Sequence, residues 1–177
     1  MKESFSQLVK TRQSCRDFND VPLEKKVVLE IAEQAMLAPS ACNSQPWKMY
    51  VVTDEQKLKE VGKALQDGGH NKFTQKAKAF IVVSEKDATL KESISTRFNR
   101  WHFVKYDIGE LIAYITLTAE SMGVKSCIIG WVNQAKLKAA VDMPQSEIAN
   151  LVVALGYSDC PVREKKRKDV SDVITVL

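Results

Sequence analysis

The sequence is short of the residue types on which many chemistries depend. Its two histidines, His70 and His102, suggest no Ser-His-Asp or Cys-His constellation. The four cysteines, Cys15, Cys42, Cys127 and Cys160, form no Cys-x-x-Cys pair and have no close histidine, which argues against a zinc site. They read as free thiols in a reducing cytoplasm, where disulfides are rare. Cys42 falls in a loop motif described below, which alone does not make it a nucleophile. Seven glycines and five prolines exclude a linker-rich or collagen-like chain. No apolar run approaches the roughly 20 residues of a membrane helix. The most apolar stretch, Ile108 to Met122, is broken by Glu110, Thr116, Thr118 and Glu120. The opening Met1-Lys2-Glu3-Ser4-Phe5-Ser6 has neither the apolar core nor the cleavage site of a secretory signal. GxGxxG and the phosphate-loop lysine motif are both absent, so the common nucleotide fingerprints are missing.

What is present suits a globular chain. At 177 residues the length fits one domain, residues 1–177, with 158–177 as a C-terminal arm. The formal net charge of +4 is too mild to mark a nucleic-acid binder. That charge is unevenly placed. Arg163-Glu164-Lys165-Lys166-Arg167-Lys168 holds five basic residues and one acidic, matching the excess of the whole chain. Alone, such a run is a solvated segment or a weak polyanion patch.

Periodicity predicts a short helix over Ser4–Thr11 and a second over Leu23–Leu37, with Pro22 at its start and Pro39 ending it. Trp47–Thr53 reads as a strand, and Asp54 caps a helix with Leu58, Val61 and Leu65 on one face. Gln66–Asn71 is a loop, and Ala79–Ser84 a buried strand. A long helix includes Asp107–Met122, with Ile108, Leu111, Ile112, Ile115 and Ala119 inward and Gly123 stopping it. It is apolar on other sides as well, as at a subunit interface. Ser126–Val132 and Asn150–Tyr157 are strand candidates around a helix that Asn133 could cap. The order fits an α/β or α+β domain with one central sheet.

Four segments carry candidate chemistry. Arg12-Gln13-Ser14-Cys15-Arg16 sets two guanidinium groups around a hydroxyl, a set able to hold phosphate through forked, charge-assisted bonds. Ala38-Pro39-Ser40-Ala41-Cys42-Asn43-Ser44-Gln45-Pro46-Trp47 is dense in small residues and amides. It can admit a flat ligand or simply connect a helix to a strand. In Gly123-Val124-Lys125-Ser126-Cys127-Ile128-Ile129-Gly130-Trp131, a glycine at a strand's end marks close backbone approach or a bulge. The basic tail is the fourth.

Together the four segments resemble the nitroreductase family of flavin-dependent oxidoreductases, in the family's order and over nearly the whole chain. Pro39-Ser40-Ala41-Cys42-Asn43-Ser44-Gln45-Pro46-Trp47 is similar to the family's Pro-Ser-Ser-x-Asn-Ser-Gln-Pro-Trp, with Ala41 replacing the second serine. Arg12-x-Ser14-x-Arg16 resembles its opening phosphate motif. Asp107-Ile108-Gly109, Ile129-Gly130-Trp131 and Leu155-Gly156-Tyr157 are similar in kind.

The resemblance implies an α+β fold with a central, mostly antiparallel sheet flanked by helices, and a C-terminal strand, Val173–Leu177, exchanged in a homodimer. It implies FMN as cofactor and NAD(P)H as co-substrate. The phosphate and ribityl end would be held by Arg12, Ser14 and Arg16, with Gln13 beside them and Lys165 and Arg167 returning from the tail. Pro39, Ser40, Ala41 and Asn43 would line the isoalloxazine from the other subunit. The amides of Ile129 and Gly130 would face its N5 and O4 edge, and Asn71 lies where many members place a ring-contacting amide. The segment from Asp87 to Arg100 would form a reduced lid. The implied reaction is ping-pong electron transfer to nitroaromatics, quinones or similar small acceptors, with no metal, nucleic acid or membrane involved. A flavin-binding or storage protein with little turnover is the alternative. The residue inventory agrees, because hydride transfer through a cofactor needs no protein nucleophile.

Overall fold

A computed structural model describes residues 4–86 and 100–177, the side chains of residues 100–102 excepted. The expected lid, Asp87–Arg100, lies outside the described residues apart from Arg100. The first helix, α1, spans Phe5–Thr11 with Ser4 as its N-cap. The core is a four-stranded sheet: β1 (Trp47–Val52), β2 (Ala79–Glu85), β3 (Lys125–Ile129) and β4 (Ile148–Gly156). The spatial order is β1-β2-β4-β3, and every pairing is antiparallel. This meets the α+β expectation.

Strand periodicity divides the core into two faces. Ala79, Ile81 and Val83 of β2, with Val153 and Leu155 of β4, pack toward α2 (Lys25–Ala35) and α4 (Arg100–Ser121). Phe80 and Val82, with Val152 and Ala154, pack on the other face toward α3 (Glu55–Leu65) and α5 (Gln134–Ala140). The two central strands are thus covered on both sides, which is why their sequences read as unbroken apolar runs. Asp54 and Asn133 cap α3 and α5 as expected, accepting from the N–H groups of Lys57 and Lys136 at 3.0 Å. Among the described residues no helix is long and apolar enough to cross a membrane, and all four cysteines are free thiols.

Several boundaries differ from expectation: β1 stops at Val52 rather than Thr53, β4 spans Ile148–Gly156 rather than Asn150–Tyr157, and the second helix ends at Ala35 rather than Leu37. The second helix starts at Lys25, not Leu23; Glu24 is its extended N-cap, and Leu23 with Val28 occupies the positions of a hydrophobic staple. Leu23 therefore reaches the core from outside the helix. The long helix begins at Arg100, seven residues before Asp107, while burying the predicted Ile108, Leu111, Ile112, Ile115 and Ala119. β3 ends at Ile129, so Gly130 and Trp131 follow the strand. The C-terminal Val173–Leu177 forms no strand within this chain; it follows a 3-10 turn at Val170–Asp172 and is exposed.

One buried charge ties the sheet together. Glu147 accepts hydrogen bonds from Tyr50 Oη and Ser84 Oγ, each at 2.7 Å, and from Lys86 Nζ. Burial alone would raise its pKa, but these three donors overcome that and hold it at about 2. A depressed carboxylate contributes stability above its unfolded value near 4.5, and that contribution is lost as pH falls from there toward 2. Chemical unfolding followed between pH 7 and pH 2 should show this loss in the wild type. Glu147→Gln should cost about 1.5–3 kcal/mol at pH 7, because bonds to a charge are the stronger kind, and should flatten the acid limb. An unchanged acid limb in that variant would remove Glu147 from the account.

Candidate functional site

The site begins at the free edge of β3. Ser14 forms a parallel bridge with Ser126, and the Cys15 N–H donates to the Ser126 carbonyl at 2.9 Å. Farther on, the Asn19 N–H donates to the Tyr157 carbonyl at 2.9 Å, and Phe18 is buried against Gly156. A Cβ at Gly156 would stand 2.8 Å from the Phe18 ring. Gly156 therefore serves the packing that lays residues 14–19 across the ends of β3 and β4.

The C-terminal arm folds back onto this segment. Gln13 Nε2 donates to the Pro161 carbonyl at 3.0 Å, while its Oε1 accepts from the backbone N and Nε of Arg163 at 3.0 and 3.1 Å. Arg163 Nη2 also donates to the Ser14 carbonyl at 2.7 Å. Lys165 Nζ donates to the carbonyls of Val9, at 2.9 Å, and Arg12. The result is a cavity of about 310 Å³ whose lining includes Arg12, Ser14, Arg16, Lys165 and Arg167. Residues separated by about 150 positions thus meet around one cavity. Arg163 was missed as a site residue, for a charged run does not reveal which member closes the clasp.

This cavity is strongly cationic. Among the described residues none of Arg12, Arg16, Arg163, Lys165 and Arg167 has a carboxylate partner within 4 Å. Burial, with Arg167 and Arg12 nearby, pushes the Lys165 pKa down; burial likewise lowers that of Arg12. Arg12 Nε is buried without a hydrogen-bond partner, as is Ser126 Oγ in the adjoining strand. Unpartnered buried donors amid like charges are unfavourable unless an anion completes them. The donor set fits a phosphate.

At the far end of β3, Gly130 is exposed, about 13 Å from Ser126 at ~3.3 Å per residue. Its φ is not left-handed, and a Cβ there would meet only Leu151 Cδ2 at 3.6 Å. Packing within the chain therefore does not demand this glycine. Ile129 is buried beside it. Asn71, itself in the left-handed region, donates from Nδ2 to the carbonyls of Leu65 at 3.1 Å and Trp131 at 3.4 Å. Its amide nitrogen is thus committed to holding the chain next to Gly130.

The loop 39–47 forms a separate surface against α4. The Ala41 N–H donates to Asp107 Oδ1 at 3.1 Å, and Ser40 Oγ accepts from the Gln45 N–H at 3.0 Å. Asn43 Oδ1 accepts from Gln45 Nε2 at 3.3 Å, and Pro39 is exposed. Cys42, Asn43 and Gln45 all have positive φ, an uncommon cluster for residues other than glycine. Burial raises the Asp107 pKa against the Ala41 amide, and its Oδ2 is unpartnered. Among the described residues no hydrogen bond or ion pair joins this loop to the cationic cavity. The loop and the cavity are thus two separate surfaces of one chain.

A sequence model described as the Nitroreductase family matches residues 9–79 and 65–157. The chain belongs to the nitroreductase family. It is 27% identical to the oxygen-insensitive NADPH nitroreductase of Helicobacter pylori over 208 aligned positions, covering 99% of this chain and 98% of that protein. Among solved structures, an FMN-dependent nitroreductase from Clostridium difficile is 28% identical with a TM-score of 0.70, over 94% of this chain and 92% of that one. A nitroreductase family protein from Streptococcus pneumoniae shares the fold at a TM-score of 0.84 and 20% identity, over 98% and 100%.

The clasp yields a direct expectation for this family member. Gln13→Ala removes the acceptor of two Arg163 bonds and the donor to Pro161. Limited trypsin digestion should then cut after Arg163 to Lys168 several-fold faster, with the core resistant. Unchanged digestion would mean that the arm is held by other contacts.

Proposed function

We propose that this protein is an FMN-dependent NAD(P)H oxidoreductase working as a homodimer on small electron-poor acceptors. The observation that carries the reading is the uncompensated cationic cavity, with Arg12 Nε buried and unpartnered, in a chain of this family. FMN, when bound, supplies the two-electron chemistry that passes reducing equivalents in ping-pong order from NAD(P)H to a nitroaromatic or quinone.

The chain's own residues bind and orient. Arg12, Arg16, Lys165 and Arg167 hold the phosphate, with Ser14 at the ribityl end and Gln13 securing the arm. The amides of Ile129 and Gly130 stand at the ring edge, where fixed donors stabilise negative charge. Asn71 keeps the Trp131 carbonyl in place beside them. Pro39, Ser40, Ala41 and Asn43 of the second subunit close the ring face. This division between subunits accounts for the separation of the two half-sites in one chain.

Two experiments test the reading. Replacing Arg12 and Arg167 together by Ala should weaken FMN at least tenfold more than riboflavin, which lacks the phosphate. Equal losses by fluorescence titration would sink the phosphate assignment. The same preparation, assayed for NAD(P)H oxidation with menadione or nitrofurazone, separates an enzyme from a flavin store, which would bind FMN without turnover.

The dimer has its own test. Val173, Ile174, Val176 and Leu177 are all more than half exposed in the single chain, an apolar edge that needs cover. Deleting residues 170–177 should weaken dimerisation and FMN retention together while preserving helix content. Sedimentation and flavin fluorescence on one truncated sample decide it: a flavin-replete dimer would show the segment to be dispensable.

A further inference from the structure

Trp131 combines two properties that seldom coincide, for it is 62% exposed yet held in place. Its Nε1–H donates to the Asp67 carbonyl at 3.3 Å, and its ring centroid lies 4.9 Å from that of His70 at 58°. The Asn71 amide bonds its carbonyl. The Asp67 side chain is anchored in turn by Lys136 Nζ at 2.6 Å and Asn133 Nδ2 at 3.0 Å. A large indole kept out of the core forfeits burial, and here several interactions hold it in that position. It directly follows Gly130.

We propose that Trp131, with His70 beside it, is a stacking shelf for the aromatic ring of the electron-accepting substrate. It makes the protein favour planar, electron-poor aromatics over non-aromatic acceptors. This rests on the reading of Gly130 as the cofactor edge. The indole face is electron-rich, and the ring of a nitroaromatic or quinone is electron-depleted, so offset stacking is favourable. The Nε1 bond engages only the edge of the indole. Pre-ordering by Asp67 and Asn71 lowers the entropic cost of immobilising the shelf on binding. Gly130 contributes no side chain that would screen the ring.

The test compares wild type with Trp131→Ala, Trp131→Phe and His70→Ala, each loaded with FMN. The shelf predicts that Trp131→Ala raises the KM for nitrofurazone and menadione about tenfold, roughly the worth of one aromatic stack. Trp131→Phe should retain most of the affinity, and His70→Ala should lose less than Trp131→Ala. Ferricyanide turnover, FMN content and the rate of reduction by NAD(P)H should be unchanged. A second readout needs no turnover. Titrating oxidised protein with 4-nitrobenzoate should move the Trp131 indole N–H resonance, assigned by its loss in Trp131→Phe, whereas cyclohexanecarboxylate at equal concentration should not.

The proposal is overturned by equal effects on aromatic acceptors and ferricyanide, by an unmoved indole resonance, or by loss of the dimer in Trp131→Ala. The last result would make the indole a subunit contact. A wild-type protein that neither retains FMN nor oxidises NAD(P)H would refute the proposed function instead, and the titration would still judge the shelf.

Discussion

The Cys15 N–H to Ser126 carbonyl bond, with the bridge it completes at the free edge of β3, is the constraint from which the cationic site hangs. An edge strand offers unpaired backbone groups that something must cover. Here the cover is the segment bearing Arg12 and Arg16, so capping the sheet and placing the guanidinium groups are the same event. Phe18 and Gly156 extend the logic to β4: without a side chain at Gly156, the Phe18 ring seats and the segment cannot slide. The arm then has a fixed target, and Gln13 presents both its amide oxygen and its nitrogen to it. Function here depends on sheet-edge chemistry before it depends on any charged residue.

Charge enters as an opposing force. Bringing Arg12, Arg16, Lys165 and Arg167 around one cavity with no carboxylate ion-paired to any of them, although Glu164 also lines it, raises the energy of the unliganded protein. The downward displacement of the Lys165 and Arg12 pKa values reports that burial and, for Lys165, its cationic neighbours resist another positive charge. Backbone carbonyls offset part of this. Val9 and Arg12 accept from Lys165, and Ser14 accepts from Arg163, so neutral dipoles rather than anions hold the arm. A carboxylate in their place would secure the arm more firmly and cancel part of the cavity's positive charge. The arrangement keeps the cations assembled but unneutralised.

Much of this was legible in the sequence, for identifiable reasons. β2 and β4 announced themselves because strands buried on both faces are continuously apolar. The caps Asp54 and Asn133 act within three residues of themselves and need no tertiary information. Other features depend on contacts the sequence does not display. Leu23 is apolar at helical spacing yet lies outside the helix, since a staple and a helix face share the same pattern. The seven extra residues of α4 carry no side-chain signal comparable to Asp54. Among the basic tail residues, only the fold distinguishes Arg163, which clasps Gln13, from Lys166. Gly156 and Gly130 look alike in sequence, but a neighbour within the chain requires the first while intrachain packing leaves the second unexplained.

The loop at 39–47 shows the same reasoning from the opposite side. Three non-glycine residues with positive φ within four positions are costly, on the order of 1–3 kcal/mol each. Such strain persists only when the surroundings over-determine it. The Ala41 amide on Asp107, the Ser40 hydroxyl under Gln45 and the Asn43–Gln45 contact supply part of that restraint. Asp107 and Ser44 nonetheless each keep a buried oxygen without a partner. Unsatisfied atoms at the cationic cavity and at this loop fall where the proposed dimer would bring phosphate to one half-site and ring to the other. A loop that only joined α2 to β1 could relax its backbone and satisfy those oxygens. On the proposed reading, that retained strain shapes the surface the second subunit offers to the flavin ring.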